Sequence, residues 1–295
     1  MVRASSPSWS VNPTVGGDVR AGRDYNLTMF DTHDTTTAGL RERVLGGETT
    51  FGCWLTIGSS ITAELVGAAG YDWALIDLEH GAGNEREALG QIQALGPTRA
   101  VPLVRVESCV RLRAGRVLDL GAEGVMFPRI ERADEARQAA SALQYPPQGN
   151  RGVAAGTRVA RFGSDFDLYR EWAATGILGI VQVETEPILS CLEEVASIEG
   201  VDVLFVGPRD LSAALGVFGQ LDHPRYLEAL AAVVAACRNH GKSPGILFAQ
   251  PSEFPAYHEM GFRFLACGSD AGFVSFGARQ TVADLNEAFK DCESS

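Results

Sequence analysis

From Thr50 onward the chain repeats one rhythm eight times: a short apolar run, then a segment with helical spacing. The apolar runs are Phe51–Ile57, Trp73–Glu79, Val101–Val106, Gly124–Ile130, Leu178–Glu184, Val201–Gly207, Pro244–Ala249 and Phe262–Gly268. They are nearly continuous rather than alternating, the pattern of strands buried on both faces in a parallel sheet. Between them lie segments such as Glu85–Leu95, Val110–Leu120 and Ala133–Leu143. In a later one, Leu227, Leu230, Ala231, Val234 and Ala235 recur at i, i+3, i+4, i+7 and i+8. Eight such units over roughly 245 residues predict an α/β chain folded as a (β/α)8 TIM barrel, whose usual length is about 250. A doubly wound sheet shares the alternation, but Gly81-Ala-Gly83 is followed by Arg86 where the dinucleotide fingerprint needs a third glycine.

The rest of the sequence sets limits. Residues 1–37 are rich in Ser, Thr, Gly and Asp without periodicity and are expected to form a disordered or loosely attached extension, with Met29 as an alternative start; 38–295 then make a single barrel domain. A net charge of −12 without a basic cluster argues against nucleic acid as a partner, and no apolar run is long enough for a membrane span. The six cysteines form no C-x-x-C pair, so neither a zinc site nor a disulfide framework is signalled, and reduced thiols in a cytoplasmic protein are expected.

In such a barrel chemistry sits at the C-terminal ends of the strands. The polar residues expected there are Trp54 on the first strand; Asp77, Glu79 and His80 after the second; Arg105 and Arg129 after the third and fourth; Gln182 and Glu184 at the fifth; and Gly207-Pro208-Arg209-Asp210 after the sixth. Glu184 continues a buried strand, and a buried carboxylate is costly unless paired or bound to a cation. With Asp210 on the neighbouring loop it suggests a hard divalent cation completed by water and substrate. The competing arrangement pairs Glu184 with Arg105 and uses Asp210 to cap the next helix. His80 is the only one of five histidines at a strand end, suited to proton transfer near neutral pH. Gly268-Ser-Asp270 fits a helix cap better than a phosphate site. The long segment Gln144–Gly163, with Arg151, Arg158 and Arg161, reads as a lid or a subunit contact. Only Lys242 and Lys290 are lysines, and neither sits at a strand C-terminus, which excludes a Schiff-base mechanism.

Several motifs, in order, resemble the class II pyruvate aldolases of the 4-hydroxy-2-oxoheptanedioate and 2-dehydro-3-deoxyglucarate type. They are Gly52-Cys-Trp-Leu, Ile76-Asp-Leu-Glu-His-Gly81, Val104-Arg-Val106, Leu118-Asp-Leu-Gly-Ala122, Tyr145-Pro-Pro-x-Gly-x-Arg-Gly152, Val181-Gln-Val-Glu-Thr185 and Phe205-Val-Gly-Pro-x-Asp-Leu-Ser212. The resemblance runs from about Ala38 to Phe289. It implies a divalent metal (Mg, Mn or Co) held by Glu184 and Asp210, and cleavage of a 4-hydroxy-2-oxo acid to pyruvate and an aldehyde through an enolate. It further implies that Arg105 stabilises the enolate oxygen and that His80, assisted by Asp119, moves the 4-hydroxyl proton. It implies too that backbone amides around the turn Gly207-Pro208-Arg209-Asp210 hold the pyruvate carboxylate, with Gln182 and Trp54 lining the pocket. A homo-oligomer follows from the same resemblance, a hexamer built as a trimer of dimers. Alternatives on the same enolate are oxaloacetate decarboxylation or biosynthetic carbon–carbon bond formation. From another class, a scaffold that kept the barrel and lost the chemistry is disfavoured by the full set of His80, Arg105, Glu184 and Asp210. Position 209 is usually small in the relatives and is arginine here. Since the family uses the backbone at that position the metal site is expected to survive, and the guanidinium is expected either to alter the preferred acceptor or to pair with a neighbour.

Overall fold

The computed structural model describes residues 39–293; the expected N-terminal extension lies outside the described residues. Eight parallel strands close into a barrel in sequence order, as the alternation predicts. They are β1 (Thr50–Leu55), β2 (Trp73–Asp77), β3 (Val101–Arg105), β4 (Gly124–Phe127), β5 (Leu178–Val183), β6 (Val203–Val206), β7 (Ser243–Phe248) and β8 (Phe264–Ser269). The helices are α1 (Leu40–Leu45), α2 (Ser60–Ala68), α3 (Glu85–Leu95), α4 (Arg111–Leu120), α5 (Ala133–Leu143), α6 (Phe166–Gly176), α7 (Leu192–Ala196), α8 (Pro208–Ala214), α9 (Pro224–His240), α10 (Phe254–Met260) and α11 (Asp270–Glu293). None of them is long and apolar enough to cross a membrane.

Side chains alternate across each strand, so every second residue enters the barrel. The interior cluster contains Trp54, Trp73, Leu75, Leu103, Met126, Leu178, Ile180, Val203, Phe205, Phe264 and Ala266, with Leu40 and Val44 of α1 plugging the floor. Trp73 stacks flat on Phe264 with centroids 4.1 Å apart. This large ring needs a glycine opposite: a Cβ on Gly52 would lie 2.1 Å from it. The outer faces of the strands pack against the helices in a second, larger core.

Following the inward rows upward locates the chemistry. Trp73 and Leu75 lead to Asp77, Leu103 leads to Arg105, and Leu178 and Ile180 lead to Gln182 and Glu184; all four polar residues are buried. The barrel is therefore apolar until its C-terminal mouth, where charge begins.

One expectation changes and another holds. The segment Gln144–Gly163 does not cover the mouth of its own barrel. It follows α5, which carries the chain back to the floor, and Arg151 within it is fully buried, bonded to Tyr169 and Asp119 and stacked between the rings of Tyr145 and Tyr169. The loop is thus an anchored floor element. The expectation that Gly268-Ser-Asp270 caps a helix holds, with Ser269 Oγ accepting the Gly272 N–H at the start of α11. Asp270 accepts from the backbone of Thr56, Ile57 and Ala271 and from the hydroxyls of Thr56 and Thr62, fastening β8 to the turn after β1.

Candidate active site

Arg105, at the top of β3, is held from three directions. Its Nε and Nη2 donate to the two oxygens of Asp77 at 2.9 and 2.6 Å, a bidentate fork, and Nη1 lies 2.9 Å from Glu79 Oε2. Its guanidinium also lies 5.8 Å from the centre of the Trp54 ring. Burial works to lower the Arg105 pKa, but the Asp77 bond and the surrounding carboxylates raise it overall, so the charge is permanent. Asp77 further accepts from the backbone N–H groups of Glu79 and His80, which fixes the loop carrying the histidine. The His80 ring is open to solvent, 3.9 Å from Glu79 Oε1.

Across the mouth no cationic side chain among the described residues forms an ion pair with Glu184. Its Oε1 accepts the Arg129 N–H at 2.7 Å and its Oε2 accepts the Gln182 amide at 2.8 Å. Arg129 adopts a left-handed backbone (φ 53) to deliver that N–H, a conformation that non-glycine residues rarely take. Burial pushes the Glu184 carboxyl above the ordinary range; the Arg129 N–H opposes this, and the charges of Asp210 and Glu79 add to it. Burial likewise raises Glu79, with Arg105 opposing. Asp210, in the first turn of α8, is exposed and makes no capping bond. Both competing roles fail: Glu184 makes no ion pair with Arg105, and Asp210 is not the cap.

The donor chemistry fits a hard cation. Two carboxylates of like charge face the same mouth, and burial disfavours ionisation of Glu184, so a divalent ion there would relieve both the repulsion and the burial penalty. Among the described residues no group of three or more His, Cys, Asp or Glu converges on one point, so water and substrate would have to supply the remaining ligands. Gly207 is required beside this pair, because a Cβ there would lie 2.8 Å from Glu184 Oε2.

The turn into α8 narrows the anion cradle. Gly207 N–H is spent on Val183 O at 3.3 Å, and Pro208 has none. That leaves the first-turn amides of Arg209 and Asp210 as the donors able to face a carboxylate. Pro208 and Arg209 lie at the mouth as expected, and Arg209 is exposed. Trp54 is buried with its ring against Phe205, directly beside the Arg105 guanidinium.

Asp119 is not brought to His80 within the chain. It lies near the end of α4, which runs from the mouth back to the floor, about 15 Å for ten residues, and its carboxylate takes Arg151 Nη2 at 2.8 Å. Glu79 supplies the third carboxylate oxygen on Arg105, and the supporting part played by Asp77 and Glu79 is the expected one. The residue that strand-end reasoning left without a role is Arg129, whose contribution is a backbone N–H. No side-chain pattern could announce it. The two lysines remain outside the site: Lys242 sits on the floor, donating to Ile198 O, and Lys290 is in α11.

A family model described as HpcH/HpaI aldolase/citrate lyase matches residues 50–275, the whole barrel. The chain belongs to this family. Its members are carbon–carbon lyases, and its aldolases are generally dependent on a divalent metal. A 4-hydroxy-2-oxo-heptane-1,7-dioate aldolase of Salmonella heidelberg (strain SL476) is 35% identical over 243 residues, 82% of this chain and 92% of the relative. A hydroxypyruvate/pyruvate aldolase of Paraburkholderia phytofirmans is 38% identical over 257 residues, 85% of this chain and 98% of the relative. Among solved structures, an HpcH/HpaI aldolase/citrate lyase family protein of Burkholderia cenocepacia J2315 superposes with a TM-score of 0.80 at 36% identity, covering 84% of this chain and 98% of that one. The family match spans every mouth residue described above, from Trp54 to Asp210.

Proposed function

We propose that this family member cleaves a 4-hydroxy-2-oxo acid to pyruvate and an aldehyde, with a divalent cation (Mg, Mn or Co) held by Glu184 and Asp210. The observation that carries the reading is the unpaired, buried Glu184 beside Asp210, with the locked guanidinium of Arg105 one amide away. When bound, the cation supplies Lewis-acid stabilisation of charge on the 2-oxo group.

The chain's own residues account for the rest. In the cleavage direction the C3–C4 bond breaks, its electron pair moves towards the C2 oxygen, and the 4-hydroxyl loses its proton as the aldehyde forms. Arg105 is oriented by Asp77 and Glu79 to donate to the oxygen that gains charge, and such preorganised donors are typically worth about 10²–10³ in turnover. His80, tethered through its backbone to Asp77, takes the hydroxyl proton. The amides of Arg209 and Asp210 orient the substrate carboxylate, and Trp54 closes the pocket below. Protonation of C3 then completes pyruvate.

Assembly is part of this reading. Helix α11 leaves Phe273, Val274, Phe276, Val282, Leu285 and Phe289 exposed, and large apolar side chains clustered on one exposed helix mark interaction surfaces. This supports a homo-oligomer, with the hexamer as its proposed form. In it, the floor-facing Asp119 of one copy would support His80 of another. The arginine at position 209, exposed at the mouth, is proposed to influence which aldehyde is accepted.

The test is exchange of pyruvate methyl protons with solvent in the presence of Mn²⁺ or Mg²⁺, followed by pyruvate release from 4-hydroxy-2-oxo acids. Both activities should need the metal and be lost in Glu184→Ala. Exchange together with oxaloacetate decarboxylation, but no aldehyde accepted, would move the function to a decarboxylase on the same enolate. Absence of both metal binding and exchange would overturn the reading.

A further inference from the structure

Arg105 and Glu184 point into the same mouth from β3 and β5, with only β4 between, and opposite charges in a partly dry site attract strongly. They do not meet. Gln182, two residues before Glu184 and 3% exposed, stands between them. Its Oε1 faces Arg105 Nη1 at 3.4 Å, and its Nε2 donates to Glu184 Oε2 at 2.8 Å. A primary amide suits this position because one end accepts and the other donates without carrying charge. A carboxylate at 182 would give Glu184 no donor, and an aliphatic side chain would give neither contact. The neighbouring backbone makes room: a Cβ at Gly207 would lie 3.2 Å from the Gln182 amide nitrogen as well as against Glu184.

Resting on the metal reading above, we propose that Gln182 is a positioning residue that holds Glu184 off Arg105, keeping the carboxylate available to a divalent cation and the guanidinium available to substrate. This differs from a role confined to lining the pyruvate pocket. Without the spacer, Glu184 is free to turn towards Arg105. The resulting ion pair would compete with the cation for one carboxylate and with the substrate for one guanidinium.

The experiment compares wild type with Gln182→Met, which preserves length, and Gln182→Asn, which is one methylene too short to bridge both partners. Mn²⁺ affinity is measured by calorimetry on the metal-free, full-length protein, and pyruvate affinity is then measured at saturating Mn²⁺. Thermal melts establish that each variant is folded, and two variants of different shape guard against one failing to fold. Loss of an outer contact to a metal ligand typically weakens binding about 10–100-fold, and a fall of at least tenfold in Mn²⁺ affinity is expected for both. Mn²⁺ affinity within twofold of wild type, with only pyruvate binding weakened, would return Gln182 to a lining role and overturn the proposal. Failure of the wild-type protein to bind Mn²⁺ would instead remove the metal reading itself, and the spacer role with it.

Discussion

Both ends of the barrel bury acids, and they treat them in opposite ways. At the floor Asp72 accepts from Arg43 at 2.8 Å, from Arg99 and from the Phe51 N–H, while Asp202 takes a bidentate fork from Arg41 at 2.8 and 2.9 Å and the Gly179 N–H. These bonds fasten α1 and the strand starts together. Burial alone would raise Asp72, but its arginines and backbone donor hold it below the usual carboxylate range. At the mouth Glu184 receives only an amide and a backbone N–H, and its carboxyl is raised. At the floor both acids are neutralised by arginines, while at the mouth Arg105 is committed to Asp77 and Glu79 and Glu184 is left without an arginine partner. An acid left uncompensated on a scaffold able to compensate others supports the proposed cation site at Glu184.

The sharpest way to break this contrast is to remove the charge at the mouth. Glu184→Gln keeps the shape and should lower metal-dependent pyruvate formation by about 10²–10³-fold, the usual scale for loss of one electrostatic group at a reacting centre. Near-wild-type turnover in steady-state assays would make Glu184 a structural acid like those below it. The floor predicts the reverse. Asp72→Ala should cost about 2–3 kcal/mol in chemical denaturation, since it strands buried or half-buried donors, while leaving activity per folded molecule largely intact. A third comparison reads stability at the mouth. Metal-free Glu184→Gln should melt higher than metal-free wild type at neutral pH, by about 1 kcal/mol at most, because it relieves repulsion among Glu184, Asp210 and Glu79. A lower melting point would mean that the carboxylate is already compensated.

Much of the barrel was legible because parallel strands buried on both faces leave continuous apolar runs, and all eight were found within a few residues. The mouth was legible for the same reason: Asp77, Arg105, Gln182 and Glu184 interrupt those runs at one end. Elements with little apolar signal were not. Helix α1 is six residues long, and α6 falls between Gly163 and Leu178, where the apolar pattern assigns no element. The direction of α4 and α5 also escaped the linear pattern. Those helices carry Asp119 and the Gln144–Gly163 segment to the floor, so a motif adjacent to the site in sequence terms belongs to its far end in space. Gln182 was recognised as polar and inward, but its place between Arg105 and Glu184 depends on three strands meeting.

The smallest effect is also the one in which the two ends differ in sign. For Asp72, whose folded pKa is lowered, the stabilising contribution is present above the ordinary aspartate value of about 3.9 and is lost as pH falls through the lowered folded value. For Glu184, whose folded pKa is raised, the contribution is present below the ordinary glutamate value of about 4.3 and is lost as pH rises through the raised one. The difference in melting temperature between metal-free Glu184→Gln and wild type should therefore be least near pH 4, grow as pH rises, and level off once Glu184 is ionised. Saturating Mn²⁺ should reverse it, because only the wild-type carboxylate gains a cation and binding stabilises the folded state by mass action. A difference that stays flat with pH, or that Mn²⁺ leaves unchanged, would mean that proton and metal do not share the Glu184 carboxylate.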